Sequence, residues 1–304
     1  MVKIGYTSDL HVDYSAENRE LVSRLAEAAD KAKPDVLIIG GDIAASPADF
    51  GWALGCFAEL KCRKLVVAGN HDIWIESKTD ILNGKDSGAK YRQILPQAAS
   101  DSGFEFLHKE PVVIDGIGFA GCMGWFDYSF RNPKFDETAT LAQYQAGRWQ
   151  HPSNGKNFLW NDMQYVWWLK DLSAKISGFS RSDLCLSDDE IAKEMAQALS
   201  RQLDKLAEDE VRQVVVVTHF VPNRGLLEYR DTIPHDYFNA YHGSAKIEGV
   251  IRENTKVSHV LYGHSHVAKD ATIDGVRYLS RPVGYLGNGR AVADASAKLA
   301  IIEI

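Results

Sequence analysis

The 304-residue chain predicts an α/β fold, a parallel sheet flanked by helices, and three observations carry that reading. Strand-like apolar runs and helical stretches alternate through the first third. The runs are continuous in Val, Ile and Leu, as strands covered on both faces are. The same rhythm returns late in the chain with "QVVVVTH" and "HVLYGHSH".

Taken in order, "VKIGYTSD" reads as a strand, a helix follows from about Glu17 to Lys33, and "DVLIIGGD" is the next strand. Leu21, Leu25, Ala28, Ala29 and Ala32 fall on one face of that helix. A helix from Ala48 to Lys61 and the strand "KLVVAGNHD" repeat the unit. From Phe104 to Gly121, "FEFLH", "PVVID" and "IGFAG" are broken by Pro111 and by Asp115-Gly116, which predicts antiparallel strands at a sheet edge. The stretch 124–210 differs: it holds five of the seven tryptophans and two predicted helices, near Asn161 to Ile176 and Asp188 to Leu206. After the late strands, short runs at "DATID", "VRYLS" and "KLAIIEI" close the chain. With no repeat, low-complexity tract or Pro/Ser-rich linker, we read one domain over 1–304 with a helical, aromatic-rich insertion at about 124–210.

Composition narrows the function classes. A 45% hydrophobic content supports a substantial core. No apolar run approaches the roughly 18 to 20 residues that span a bilayer, and "MVKIGYTSDL" lacks the features of a secretory signal, so a cytoplasmic location is expected. Cys56, Cys62, Cys122 and Cys185 form no C-x-x-C pair, which predicts reduced, mostly buried thiols. A net charge of −7 and a pI near 5.8 argue against a basic nucleic-acid track. An anionic substrate would need help from bound cations.

Five separate runs end in metal-ligand chemistry. They deliver Asp9 and His11, Asp42, Asn70 and His71, His219, and finally His264 and His266. Ligands of open α/β sheets gather beyond the carboxyl ends of the strands, so these groups converge if the strands are neighbours. Asp9 and His11, like His264 and His266, are two apart, and on an extended backbone each pair points one way. Gly40, Gly41, Gly69 and Gly263 beside them permit tight turns and close backbone approach. Imidazole, carboxylate and one amide, without thiolate, suit Mn, Fe, Zn or Co better than Ca or Mg. Leaving His71 aside, seven donors exceed the needs of one four-coordinate ion and fit two ions sharing Asp42.

The blocks D-x-H, GD, GNHD, a lone His and GHSH, standing here as Asp9/His11, Gly41-Asp42, Gly69 to Asp72, His219 and Gly263 to His266, resemble those of the calcineurin-like metallophosphoesterases. That resemblance implies a four-layer αββα sandwich of two mixed sheets flanked by helices, with a dinuclear site at one rim. It implies that Asp9, His11, Asp42 and His266 hold one metal and that Asp42, Asn70, His219 and His264 hold the other. It also implies that His71 stabilises charge and protonates the leaving oxygen. Two ions roughly 3.5 to 4 Å apart can acidify a bridging water for in-line attack on phosphorus. The expected activity is hydrolysis of a small phosphomonoester or phosphodiester, a nucleotide or cyclic nucleotide among the candidates. A catalytically silent scaffold of the same fold and a nuclease are the alternatives, and the acidic charge makes nucleic acid the weaker partner.

The protein-phosphatase branch reads GDxxDRG where this chain has "GDIAASP", so Ala45 replaces the carboxylate that orients the catalytic His there. Asp72 is a candidate substitute, although Asp after a ligating loop is as readily a turn or helix-cap residue. Arg131 and Arg148, near the aromatics, are candidates to meet a phosphate, and Asp13 reads as a turn group. The aromatic segment could wall the metals, but Val166, Trp167, Trp168 and Leu169 read more simply as the buried face of a helix. His108, His151, His235, His242 and His259 lack metal spacing and read as surface or hydrogen-bonded residues. Ile191, Met195, Leu199, Leu203 and Leu206 stripe one helix, for packing on their own domain or for a homodimer contact.

Overall fold

In the computed structural model, which describes every residue except 76, 152–154, 172–180, 208–209 and 288–293, the chain begins with β1 (Lys3–Thr7), α1 (Ala16–Ala32), β2 (Val36–Ile39), α2 (Pro47–Gly55) and β3 (Arg63–Val66). The three strands are parallel and in step, Ile4 opposite Val36 and Val36 opposite Arg63. Each helix starts on a serine whose hydroxyl accepts a backbone N–H, Ser15 from Asn18 and Ser46 from Asp49, with Pro47 opening α2. α2 ends at Gly55, short of the expected Lys61, because Gly51 and Gly55 weaken it and 56–60 fold into turns that bury Phe57 and Leu60.

Ten strands follow: β4 (Glu105–Phe106), β5 (Val112–Ile114), β6 (Ile117–Cys122), β7 (Arg148–Gln150), β8 (Asn157–Leu159), β9 (Gln213–Thr218), β10 (Val257–Tyr262), β11 (Lys269–Ile273), β12 (Val276–Ser280) and β13 (Ala300–Glu303). One sheet has the order β13-β1-β2-β3-β4 and the other β11-β12-β10-β9-β6-β5, while β7 and β8 form a separate hairpin. Both large sheets are parallel at their centres with antiparallel outer strands, β13 in the first and β11 and β5 in the second. The expectation of three antiparallel edge strands between Phe104 and Gly121 is corrected. β4 joins the first sheet parallel to β3, and β6 lies inside the second, parallel to β9; only β5 is an antiparallel edge. Turn residues mark where a strand ends but not which sheet receives it.

Alternate residues of the two sheets meet in one core. Ile4, Tyr6, Val36, Ile38, Leu65 and Val67 pack there with Phe119, Val215, Val217, Leu261 and Leu279. The neighbours in sequence, such as Leu37, Ile39, Val66, Val214 and Val216, face outward into helices, so both faces of each sheet are covered. The result is two mixed sheets flanked by helices. The Asp188–Lys205 helix forms part of the outer layer on the second sheet: its Gln202 amide donates to Gly121 O (2.8 Å) and accepts from Gly121 N (3.0 Å). Its stripe of Ile191, Met195, Leu199, Leu203 and Leu206 is buried within the molecule.

The helix expected at 161–176 is not formed over its described part. Only Asp162–Tyr165 is helical, and Val166 to Lys170 leaves the helix, Leu169 bridging to Cys185; 172–176 lie outside the described residues. Trp168 is nevertheless buried, against Tyr91 and Arg92, so the packing reading holds without the helix. All four cysteines are free thiols. Among the described residues, no helix is long and apolar enough to cross a membrane.

Candidate metal centre

β1, β2 and β3 of one sheet and β9 and β10 of the other run out at a common rim, and the loops beyond them carry the predicted donors. Main-chain hydrogen bonds stitch those loops together: Asp9 N donates to Gly41 O (2.9 Å), His11 N to Asp42 O (3.0 Å) and Gly263 N to His219 O (3.0 Å). The close fit explains the glycines. A Cβ on Gly69 would stand 2.2 Å from Asp42 Oδ1, and one on Gly263 would stand 2.6 Å from Asp9 Oδ2.

Extended backbone is not what aims the paired ligands. Asp9, His11, Asp42, His264 and His266 all have positive φ, between 45° and 68°. Non-glycine residues rarely occupy that region, and each costs of order 1–3 kcal/mol unless its surroundings enforce it. Here the left-handed turns swing successive side chains toward one point.

Asp9, His11, Asp42 and His266 bring four ligand atoms within 4.8 Å of one another, and Asp42, His219 and His264 form a second such group. Asp42 therefore belongs to both, with Oδ2 3.6 Å from His11 Nε2 and 3.3 Å from His219 Nε2. His11 Nε2 and His266 Nε2 face each other at 3.0 Å, and His266 Nε2 lies 3.4 Å from Asp9 Oδ1. Asn70 completes the second group, its Oδ1 3.2 Å from His219 Nε2 and 3.1 Å from His264 Nδ1.

The donor set fits metal. His219 uses Nδ1 on Gly40 O (2.9 Å) and His264 uses Nε2 on Tyr241 O (3.2 Å), which turns the other nitrogen of each ring inward toward Asn70 Oδ1, where a cation would meet it. Burial pushes His11 down to about 3, and burial together with His219 pushes His264 well below the ordinary range, so both imidazoles are neutral. Burial alone would lower His219, but the Asp42 carboxylate holds it up at about 9; a cation binding there releases that proton. Burial would raise Asp42, yet His219, His71 and His11 hold it well below the carboxylate range.

The centre opens into a cavity of about 290 Å³. His71 lines it, with Nε2 4.0 Å from Asp42 Oδ2 and its backbone N–H donating to Asp42 Oδ1 (2.9 Å). Its ring stacks on Trp74 at 3.7 Å, and Tyr285 Oη lies 3.3 Å from its Nε2. Asp72 sits elsewhere, fully buried, accepting N–H bonds from Ile43 (2.7 Å), Ala44 (2.8 Å) and Gly69 (2.7 Å). It ties the Asp42 loop to the Asn70 loop and makes no hydrogen bond to the His71 ring. Asp13 likewise serves backbone, accepting from Ala45 N at 2.8 Å.

Arg131 is not brought to the cavity. Its guanidinium is paired with Asp136 at 2.8 and 3.1 Å, and Arg148 lies exposed on β7. Residues that sequence reading missed do line it: Trp74, Trp160, Asp162, Phe238, His242 and Tyr285. His242 is hydrogen-bonded through Nδ1 to Phe238 O (2.7 Å), while its ring lies 5.3 Å from that of His264.

The profile of the calcineurin-like phosphoesterases matches residues 2–268, and the chain belongs to that family. Its structure is similar to a phosphopantetheinyl hydrolase from Mycobacterium tuberculosis (TM-score 0.65, 20% identity, covering 93% of this chain and 89% of that one). It is also similar to the TT1561 protein of Thermus thermophilus (TM-score 0.50, 12% identity, covering 99% and 97%). No curated protein matches the sequence significantly. The family is metal-dependent, which agrees with the Asp/His cluster at the rim.

Proposed function

We propose that the chain hydrolyses a phosphate ester at a dinuclear centre, with Asp9, His11, Asp42 and His266 holding one ion and Asp42, Asn70, His219 and His264 the other. The observation that carries this reading is the convergence of both donor groups on the single carboxylate of Asp42, beside an imidazole that faces the cavity. Mn, Fe or Zn suits these imidazole, carboxylate and amide donors. When bound, such ions neutralise phosphate oxygens and acidify water for attack on phosphorus.

The chain's own groups do the rest. His71 is the proton donor to the leaving oxygen, because its ring reaches the cavity while its backbone is pinned to Asp42. Trp74 stacks on that ring and limits its rotation. With Ala45 in the position of the usual orienting carboxylate, the Tyr285 hydroxyl is the side-chain group hydrogen-bonded to His71 Nε2.

Between the two substrate forms, the cavity favours a diester. Trp160 lies beside His264, Trp74 and Tyr285 lie beside His71, and Leu159 and Phe238 also line the cavity, so apolar surface is available to an organic group on more than one side of a bound phosphate. No lysine or arginine lines the cavity among the described residues. A diester brings one negative charge there, whereas a monoester brings up to two.

The test compares p-nitrophenyl phosphate, its bis ester, cyclic nucleotides and a phosphopantetheinyl ester under saturating Mn. A higher kcat/KM for diesters is expected. Turnover of none of them by protein with two ions bound would leave the silent scaffold as the better reading, and salt-sensitive DNA binding would restore the nuclease.

A further inference from the structure

Asp162 is buried to 1% exposure beside the centre, and nothing in the proposed chemistry yet uses it. It opens the short helical turn that follows β8, and its carboxylate accepts three N–H bonds. Oδ1 takes Asn70 Nδ2 at 2.9 Å and Trp74 Nε1 at 2.7 Å, and Oδ2 takes Trp160 Nε1 at 2.9 Å. Each of these donors belongs to a group that shapes the site. Asn70 turns its remaining amide oxygen to His219 and His264, Trp74 stacks on His71, and Trp160 stacks on Tyr241 at 4.8 Å with its edge toward His264.

Burying a carboxylate costs free energy unless hydrogen bonds satisfy it, and these three bonds do so with neutral donors alone. The bond to Asn70 has a further consequence. An amide can present either oxygen or NH₂ to a cation, and only the oxygen ligates. With Nδ2 committed to Asp162, Asn70 is locked with Oδ1 inward.

We propose that Asp162, supplied by the segment between β6 and β9, is a positioning residue that fixes the Asn70 amide for the second ion and anchors the two indoles that wall the substrate. The inference rests on the dinuclear reading above. It makes the segment part of the metal centre, not only a cover for it.

The test reads metal binding in the full chain. Metal-free wild type, Asp162→Leu and the double variant Trp74→Phe/Trp160→Phe are titrated with Mn(II), with free ion followed by its EPR signal and thermal stability measured alongside. Asp162→Leu keeps the bulk but removes the acceptor of all three bonds, the one to Asn70 included. It should bind the first ion like wild type and the second roughly 10- to 100-fold more weakly, the usual cost of losing an outer partner of a ligand. The double variant keeps the bond to Asn70 and should bind both ions like wild type.

The proposal is overturned if Asp162→Leu binds both ions unchanged, or loses both in parallel with its stability. It is also overturned if the double variant selectively loses the second ion, since the indoles would then be what holds Asn70. Should Asp162→Leu fail to fold, the double variant still decides in this way. Wild type that binds fewer than two ions would instead sink the dinuclear reading itself.

Discussion

On the strand-end rim, the inward side chains hang from loops just past parallel strands, and their aim is set by main-chain hydrogen bonds and, at Asp9, His11, Asp42, His264 and His266, by left-handed turns. Across the cavity, the 157–162 stretch contributes Leu159, Trp160 and Asp162 from a small hairpin and a single helical turn. The rim holds chemistry through backbone geometry that few residues can adopt. The facing stretch holds shape through side-chain packing, which tolerates change. On the proposed function, catalysis and substrate fit would be borne by different kinds of structure, joined chiefly at Asp162.

The largest effect should come from Asp42, the carboxylate common to both donor groups. Asp42→Asn removes one anionic oxygen from both donor groups, so both ions should weaken together, and turnover should fall by more than the roughly 100-fold typical of losing an outer partner. Metal content by mass spectrometry checks this, and loss of one ion alone would contradict the bridging place. His71→Ala comes next. It should keep both ions while turnover falls roughly 10²- to 10⁴-fold, the usual contribution of a proton donor. Departure of metal would mean that His71 is a ligand after all.

A third rim change should be felt in stability before activity. Asp72→Ala strips the acceptor from three buried backbone N–H groups, those of Ile43, Ala44 and Gly69. We expect a loss of about 3 kcal/mol, since an unsatisfied buried donor costs roughly 1–3 kcal/mol and some water will enter. Urea unfolding of the metal-free protein measures it. An unchanged midpoint would show that the two ligand loops hold each other without this carboxylate.

The rim was legible because its donors interrupt apolar runs that would otherwise continue: Asp42 after "VLIIGG" and Asn70 after "LVVAG" have no place in a buried strand except at its end. The ordered blocks then identified the family that the profile match shows. The means of convergence was not legible. Two-residue spacing suggested extended backbone, whereas Asp9, His11, His264 and His266 are left-handed, a property of the loops' tertiary contacts rather than of residue type. Nor did turn signals reveal that β4 and β6 belong to different sheets, because strand choice depends on what lies opposite. Asp162 carried a faint signal. It is an acid inside "FLWNDMQYVWW", where an unpaired charge among aromatics asks for donors, and indole N–H groups were at hand on both sides. Of the actual donors only Trp160 is a sequence neighbour; Trp74 and Asn70, 88 and 92 positions away, could come only from the fold.

The smallest predicted effect tests the separation of roles most sharply. Leu159 lines the cavity yet is 39% exposed and, as an aliphatic side chain, offers no polar group to the centre. In Leu159→Ala, apolar contact worth about 0.5–1 kcal/mol to a substituent lying against it is lost, which corresponds to a rise in KM of roughly 2- to 5-fold. That rise should appear for a bis(p-nitrophenyl) ester and be absent for the monoester, with kcat and Mn affinity unchanged. A fall in kcat would mean that this wall also shapes the transition state, and a change in metal affinity would mean that the hairpin supports the ligands through more than Asp162. Equal effects on mono- and diester would place the second substituent on the Tyr285 side, and leave Leu159 beside the group that both esters share.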